Sequence, residues 1–309
     1  MATAAPSLRA IGPMATVEAM RARADAADPF SVGVEEEFFL VDAAGPHLVD
    51  EAAAIGRRAG DDPRFRLELP PCQIEMATIP RSSVRTIEAD LRAARTDVAR
   101  WCAGVARPIS AAVHPTDPTF ASPSTRRGVD LVRRFGWLAR RQVLGSLQVH
   151  VALGSAQHLI AVHDELRAYL PHIAALAAAA PFDQGQDLGM ASIRPMITTA
   201  LPRQGTPPVL GSWERYTDEL RWGAASCGLE DPTQWWWELR PHPVHGTLEI
   251  RVADAQPTAD DAMAVVELAV AVVRWLASRA DAGELPPPVA SWRIDENRWS
   301  AALHGVAGT

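Results

Sequence analysis

Polar and apolar residues alternate along several short stretches of this chain and recur every three or four positions along longer ones. Alternation sends successive side chains to opposite faces of a strand, whereas the longer spacing marks one face of a helix. The first predicted strand covers 31–42. It runs into Ala43-Ala44-Gly45-Pro46, a turn signal, so a hairpin is expected there. A second strand region, 64–79, is broken by Pro70-Pro71. Between 83 and 105, Val84, Ile87, Leu91, Ala94, Val98 and Cys102 recur at helical spacing, with Ser82 or Ser83 as N-cap. Residues 129–142 read as helix, 147–153 as strand, 155–180 as a buried Ala-rich helix, and 183–208 as loop with short elements. Residues 214–225 are predicted helical, 235–239 and 247–253 as strands, and 258–280 as a helix with Asp260 and Asp261 in its first turn. The last ~25 residues lose periodicity. Residues 1–29 are Ala-rich with scattered prolines and are expected to form an N-terminal arm, disordered in part, ahead of a single catalytic domain over 30–309. Alternating strands separated by long helices predict an α+β fold, an antiparallel sheet with helices packed on one face.

Four of the strands carry an apolar face and a chemically active one. In Gly33-Val34-Glu35-Glu36-Glu37-Phe38-Phe39, Glu35 and Glu37 share a face, and Glu36 points the other way with Val34 and Phe38. Gln73 and Glu75 share a face opposite Ile74 and Met76. Gln148 and His150 lie opposite Val149 and Val151. Thr247, Glu249 and Arg251 lie opposite Leu248, Ile250 and Val252. Placed in one sheet, these strands form a floor of Glu35, Glu37, Glu75, His150, Glu249 and Arg251. Neighbouring carboxylates repel unless a cation lies between them, and Mg²⁺ is a hard ion that takes oxygen ligands and leaves positions for phosphates. The competing reading is a solvated acidic face.

Composition narrows the chemistry. The chain has 309 residues, 22% charged, with a formal net charge of −7. It lacks the basic face that nucleic-acid binding requires. All 30 basic residues are arginine. Without lysine there is no Walker A lysine, Schiff base or lysine general base, so phosphates must be met by arginine, backbone amides and metal. Arg251 and Arg194 are the leading candidates. Cys72, Cys102 and Cys227 are odd in number and scattered, which argues against disulfides or structural zinc. No stretch reaches the ~18 apolar residues of a membrane span, and no signal-peptide pattern is seen, so a cytoplasmic location is expected.

Taken together in order, Gly33-Val34-Glu35-Glu36-Glu37-Phe38, Gln73-Ile74-Glu75-Met76-Ala77-Thr78, Gln148-Val149-His150-Val151 and Gly246-Thr247-Leu248-Glu249-Ile250-Arg251-Val252-Ala253-Asp254 resemble glutamate–cysteine ligase family 2, the carboxylate–amine ligases. Leu166-Arg167-Ala168-Tyr169-Leu170-Pro171, the loop from Pro181 to Arg194, and Glu296-Asn297-Arg298-Trp299 match as well. The resemblance implies a glutamine-synthetase-like curved antiparallel sheet. It implies a reaction in which ATP phosphorylates a carboxylate to an acyl phosphate and an amine then displaces phosphate. On the family pattern Glu35, Glu37, Glu75 and Glu249 hold Mg²⁺, His150 lies near the nucleotide or a metal, Arg251 faces the transferred phosphoryl group, and Arg194 contacts a substrate carboxylate or phosphate. Small-molecule substrates are implied, with homo-oligomerisation left open, and neither nucleic acid nor membrane is expected as a partner. The loop before Arg194 departs from the pattern near Leu188, Met190 and Ile193, Ala152 stands where the family prefers Gly, and the C-terminus is expected to be shorter than the family's. Two alternatives stay open: a truncated non-catalytic paralogue that binds Mg-ATP and regulates, and a guanidino-type phosphotransferase.

Outside the floor, His242 and His245 are expected to shape the turn before the Glu249 strand. One of Trp235, Trp236 and Trp237 is expected in the core, with adenine stacking as the rival reading. Cys72 is expected to be a buried apolar residue, Arg140 and Arg141 to lie on a helix surface, and Glu36 to reach a neighbouring helix.

Overall fold

The computed structural model describes residues 13–227 and 231–308. Helix α1 (Pro13–Ala26) leads into β1 (Val32–Val41), α2 (Ala52–Ala59), β2 (Phe65–Leu67), β3 (Gln73–Ala77), α3 (Val84–Cys102) and β4 (Arg107–Ile109). Then come α4 (Arg126–Phe135), α5 (Trp137–Arg140), β5 (Ser146–Ala152), α6 (Ala156–Leu166), α7 (Leu170–Ala177), and a small hairpin of β6 (Phe182–Asp183) and β7 (Gln186–Asp187). The chain finishes with α8 (Arg194–Thr198), α9 (Trp213–Cys227), β8 (Leu239–Pro241), β9 (Thr247–Asp254), α10 (Ala259–Asp281) and α11 (Ser291–His304).

Seven strands form one antiparallel sheet in the order β2-β3-β1-β5-β9-β8, with β4 added along the far end of β1. Register sets the site: Glu37 stands opposite Glu75, Glu35 opposite Gln148, and His150 opposite Glu249. The pairing of β5 with β9 shifts between Leu147 and Val149, where two residues of β9, Arg251 and Val252, face the single Gln148. Such a bulge re-aims side chains locally.

One face of the sheet is covered. Val34, Val149, Val151, Leu248, Ile250 and Val252 pack with Leu159 and Ile160 of α6, Ile173 of α7, Val266 and Val273 of α10, and Tyr216 of α9. Each fully buried aliphatic side chain contributes roughly 1.5–3 kcal/mol of transfer free energy. A second cluster sets Phe38, Ile74 and Met76 against Ile55 of α2 and Val98 and Trp101 of α3. Met20 and Ala24 of α1 are buried in the main cluster, so packing begins ahead of residue 30; residues 1–12 lie outside the described residues. No helix among the described residues is long and apolar enough to cross a membrane.

Several elements differ from the sequence expectation. The helix expected over 129–142 is two, broken at Gly136, whose φ of 56° belongs to the left-handed region. The helix expected over 155–180 is interrupted near Pro171, although Ser155 caps its start by accepting from the His158 amide. Ser83 stands at the α3 cap position without a side-chain cap bond. The strand expected over 235–239 begins only at Leu239: Asp231 caps a 3₁₀ turn over 232–234, and Arg240 bonds the Thr233 and Trp235 carbonyls that a ladder would have used. The aperiodic C-terminal stretch contains α11, whose inner face is Ile294, Arg298, Ala301 and Ala302. Two alanines and an arginine make a weak hydrophobic stripe, which is why periodicity does not reveal it.

Candidate active site

The opposite face of the sheet carries the floor residues, and the structure brings all six of Glu35, Glu37, Glu75, His150, Glu249 and Arg251 onto it. Five of them, joined by Glu68, make two groups that each set three ligand atoms within 4.8 Å of one another: Glu35, His150 and Glu249, and Glu37, Glu68 and Glu75.

In the first group His150 is buried and its Nδ1 meets the Thr247 hydroxyl at 2.9 Å. Its Nε2 is buried without a hydrogen-bond partner, 3.6 Å from Glu35 Oε1 and 3.9 Å from Glu249 Oε1. Those separations exceed a hydrogen bond and suit ligands arranged around a small cation. Burial works against the charge on each residue here. The neighbouring imidazole nevertheless holds Glu35 below the usual carboxylate range, and Glu35 in turn raises His150. Glu249 is 1% exposed. Burial opposes its ionisation too, but Arg240 and Arg251, both bonded to it, hold its carboxyl well below the ordinary value.

The second group lacks that compensation. Burial, reinforced by Glu68, pushes Glu37 up to about 7, even though Glu37 accepts from the Ser146 amide at 2.8 Å, Gln148 at 3.0 Å and Gln73 at 3.2 Å. Burial and then Glu35, Glu68 and Glu37 raise Glu75 well above its usual value, and burial raises Glu68. Three carboxylates set together, Glu37 and Glu75 buried and Glu68 half-buried, call for a divalent cation, and their oxygens fit Mg²⁺; the first group offers two carboxylates and an imidazole nitrogen, a mixed set that divalent cations also accept.

Arg251 donates through Nη1 to Glu249 and to Gln148, which aims its guanidinium along the floor. Arg194, at the start of α8, donates to the Val252 and Arg251 carbonyls at 3.2 Å, and its Nε is buried without a partner. A cavity of about 170 Å³ opens beside the second group, lined among others by Glu37, Glu68, Arg194, Trp236, Glu238 and Arg251.

Three residues of this face escape a reading of the sequence. Glu68 lies one position past β2, where Pro70-Pro71 obscures the strand, although alternation from Arg66 marks it. Arg240 sits in an Arg-Pro pair that reads as loop. Glu238 is hidden in the Trp-rich segment. His242 does shape its turn, accepting at Nδ1 from the Val244 and His245 amides, and both rings also pack edge-on against His150. Trp235 packs in the core against Tyr216, while Trp236 lines the cavity. Cys72 is buried, and burial pushes its thiol up to about 12. Glu36 reaches Arg95 on α3. Arg141, expected on a helix surface, is instead turned inward to Asp183 at 2.9 Å and to the Pro118 carbonyl, because α5 ends before it.

Sequence comparison places this arrangement in a family. The model of glutamate–cysteine ligase family 2 matches residues 31–309. A relative from Rubrobacter xylanophilus with the provisional name glutamate–cysteine ligase 2-3 is 33% identical over 295 residues, 93% of this chain and 79% of that protein. A similarly named relative from Thermobifida fusca is 33% identical over 89% of this chain and 71% of its own length. Among solved structures, the fold is similar to a bifunctional glutathione synthetase from Pasteurella multocida, with TM-score 0.65 and 13% identity over 96% of this chain and 44% of that one. It is also similar to a glutamate–cysteine ligase from Francisella tularensis in complex with AMP, with TM-score 0.58 and 12% identity over 91% of this chain and 72% of that one. The chain belongs to glutamate–cysteine ligase family 2, a family of carboxylate–amine ligases.

Proposed function

We propose that this chain is an ATP- and Mg²⁺-dependent ligase that joins a carboxylate, with glutamate as the first donor to test, to an amine such as cysteine. The observation that carries this reading is the pair of ligand groups on one sheet face. One holds a buried, unpartnered imidazole nitrogen between two carboxylates, and the other holds three carboxylates within 4.8 Å of one another. In this reading Glu35, His150 and Glu249 hold one ion, Glu37, Glu68 and Glu75 hold another, and residues 30–309 act as one catalytic domain to which α1 adds its packing. Magnesium bound there neutralises phosphate oxygens and so assists transfer of a phosphoryl group.

The protein's own residues do the positioning. The Thr247 hydroxyl orients the His150 ring through Nδ1 and leaves Nε2 facing the ligand group. Arg240 keeps Glu249 ionised and immobile. Arg251, fixed by Glu249 and Gln148, presents its remaining N–H groups to the transferred phosphoryl group, the part a lysine plays in many other phosphoryl-transfer sites. Arg194 faces a substrate carboxylate or phosphate from the other wall of the cavity. An oxygen of the donor carboxylate attacks the γ-phosphorus, and the bond from phosphorus to the ADP oxygen breaks. The uncharged amine nitrogen then attacks the acyl carbon, the carbon–oxygen bond to phosphate breaks, and the proton the nitrogen loses as the amide forms leaves with the departing phosphate. The test is ADP release from Mg-ATP with glutamate and a panel of amines that includes cysteine. Release that requires both substrates and falls at least about 100-fold in Glu35→Gln is expected. Nucleotide binding without turnover for any amine would overturn the proposal.

A further inference from the structure

Glu238 is a buried carboxylate that the metal groups do not use. It precedes β8 and stands across from Arg251, whose amide donates to its carbonyl at 2.8 Å. It is 7% exposed and lines the cavity beside Arg251, Arg194 and Trp236. One of its oxygens, Oε1, accepts from Arg298 Nε of α11 at 2.6 Å, and the other, Oε2, is buried with no partner. An unsatisfied carboxylate oxygen out of water costs on the order of 1–3 kcal/mol, so its retention calls for a donor that arrives with a ligand. Arg298 is itself 8% exposed, and its Nη2 donates to the Pro195 carbonyl at 3.1 Å, directly after Arg194. One arginine of α11 therefore braces both walls of the cavity. Arg194 offers the complementary feature, an Nε buried without an acceptor.

We propose that Glu238 is the specificity residue for the acceptor: its Oε2 receives the ammonium group of a small primary amine and takes the proton that the nitrogen must lose before it attacks the acyl carbon. Arg298 is the positioning residue that aims it. This assignment rests on the ligase reading above and deepens it. An ammonium is the donor that satisfies a lone buried carboxylate oxygen best, through a charge-assisted hydrogen bond. The cavity of about 170 Å³ is smaller than the ~300–1,000 Å³ of pockets for drug-sized ligands, so a small acceptor fits it better than a bulky one. The unpartnered Arg194 Nε favours an acceptor that also carries a carboxylate, so an α-amino acid fits better than an alkylamine. In this reading the nucleotide phosphates face Glu37 and Glu68, which line the same cavity.

Hydroxylamine provides the test, because it is largely uncharged at neutral pH and traps an acyl phosphate as a hydroxamate without needing an ammonium site. Wild type, Glu238→Gln and Glu238→Asp are compared with L-cysteine, and with the best amine of the panel, against hydroxylamine. The expected result for Glu238→Gln is a rise of about tenfold or more in the KM for the amine, the loss of one charge-assisted hydrogen bond. The ratio of hydroxamate to amide should rise by a similar factor. Glu238→Asp should recover part of the amine KM. Arg298→Met should raise the same KM without the recovery. Amide and hydroxamate falling together in Glu238→Gln, or an unchanged amine KM, would overturn the assignment and leave the ligase reading standing. Absence of both products from the wild type would instead remove the ligase reading on which the assignment rests.

Discussion

Glu36 lies between two site residues yet faces the helices, and the ion pair it makes there has a definite energetic signature. Its carboxylate, 4% exposed, accepts from Arg95 Nη2 at 2.6 Å and Nε at 3.0 Å, while Phe38, Met76 and Leu147 make its surroundings apolar. Arg95 also donates to the Gln256 and Pro257 carbonyls, so it ties β1, α3 and the entry to α10 together. Replacing Arg95 with Met strands the carboxylate. Breaking a buried pair by removing one partner costs about 3–5 kcal/mol. The Pro257 carbonyl adds little, since it is exposed and water can replace the guanidinium. Replacing both partners, Arg95→Met with Glu36→Leu, removes the stranded charge and puts a methyl-rich side chain among Met76 and Leu147. The double variant is therefore expected to lie within about 1–2 kcal/mol of wild type, which makes the coupling energy at least ~2 kcal/mol. Glu36→Leu alone should cost less than Arg95→Met alone, because Arg95 is 17% exposed and can turn to solvent. Urea denaturation of the four proteins measures the cycle. A cost below about 1 kcal/mol for Arg95→Met, with a double variant equal to the sum of the singles, would refute the reasoning.

Three further outcomes follow from other parts of the fold. Mg²⁺ at a hundredfold excess over its Kd should stabilise the wild type by about 2.7 kcal/mol and EDTA should reverse this, whereas Glu75→Gln should lose most of the effect; equal stabilisation of both proteins in urea melts would contradict the ligand assignment. Burial holds His163 below its ordinary value, so the unfolded chain takes up a proton near 6.5 that the folded chain refuses. The stability this ring contributes is present above that pH and drains away below it, so His163→Gln should flatten the loss of stability between about pH 7 and pH 5, and an unchanged slope would count against it. Asp164, held low by His163 and by the Leu210 and Gly211 amides despite its burial, adds a further loss only under stronger acid. Gly246→Ala should cost about 2 kcal/mol or more in thermal or urea unfolding, because φ is 66° and a Cβ would lie 2.5–2.6 Å from the backbone of Arg23 and Ala24 in α1; a neutral result would mean that this turn and α1 shift freely.

The central strands were legible because each has one clean apolar face, and antiparallel pairing then had to bring their polar faces onto one side. Glu35, Glu37, Glu75, His150, Glu249 and Arg251 needed only period-two counting and the assumption of a shared sheet. The pairing of those residues into two groups was not legible, because it depends on register, which a strand pattern leaves open. Glu68, Arg240 and Glu238 were missed for a related reason: each sits where a proline or a Trp run breaks alternation, and each is placed by tertiary contacts with Glu75, Glu249 and Arg298. Arg167, in a segment that matches the family, lies away from the floor. It is fully buried and ties the Pro207 and Val289 carbonyls and Ser291 to α6, a role that no local pattern announces.

The most direct test of the central claim follows oxygen rather than rate. The donor carboxylate of glutamate is labelled with ¹⁸O and incubated with the protein, Mg-ATP and the amine that supports ADP release, and the phosphate formed is analysed by mass spectrometry. The account predicts one ¹⁸O in each phosphate released with amide, because the carboxylate oxygen that bonds phosphorus departs with it. Phosphate free of label, formed alongside amide, would show that no acyl phosphate forms on this floor of carboxylates.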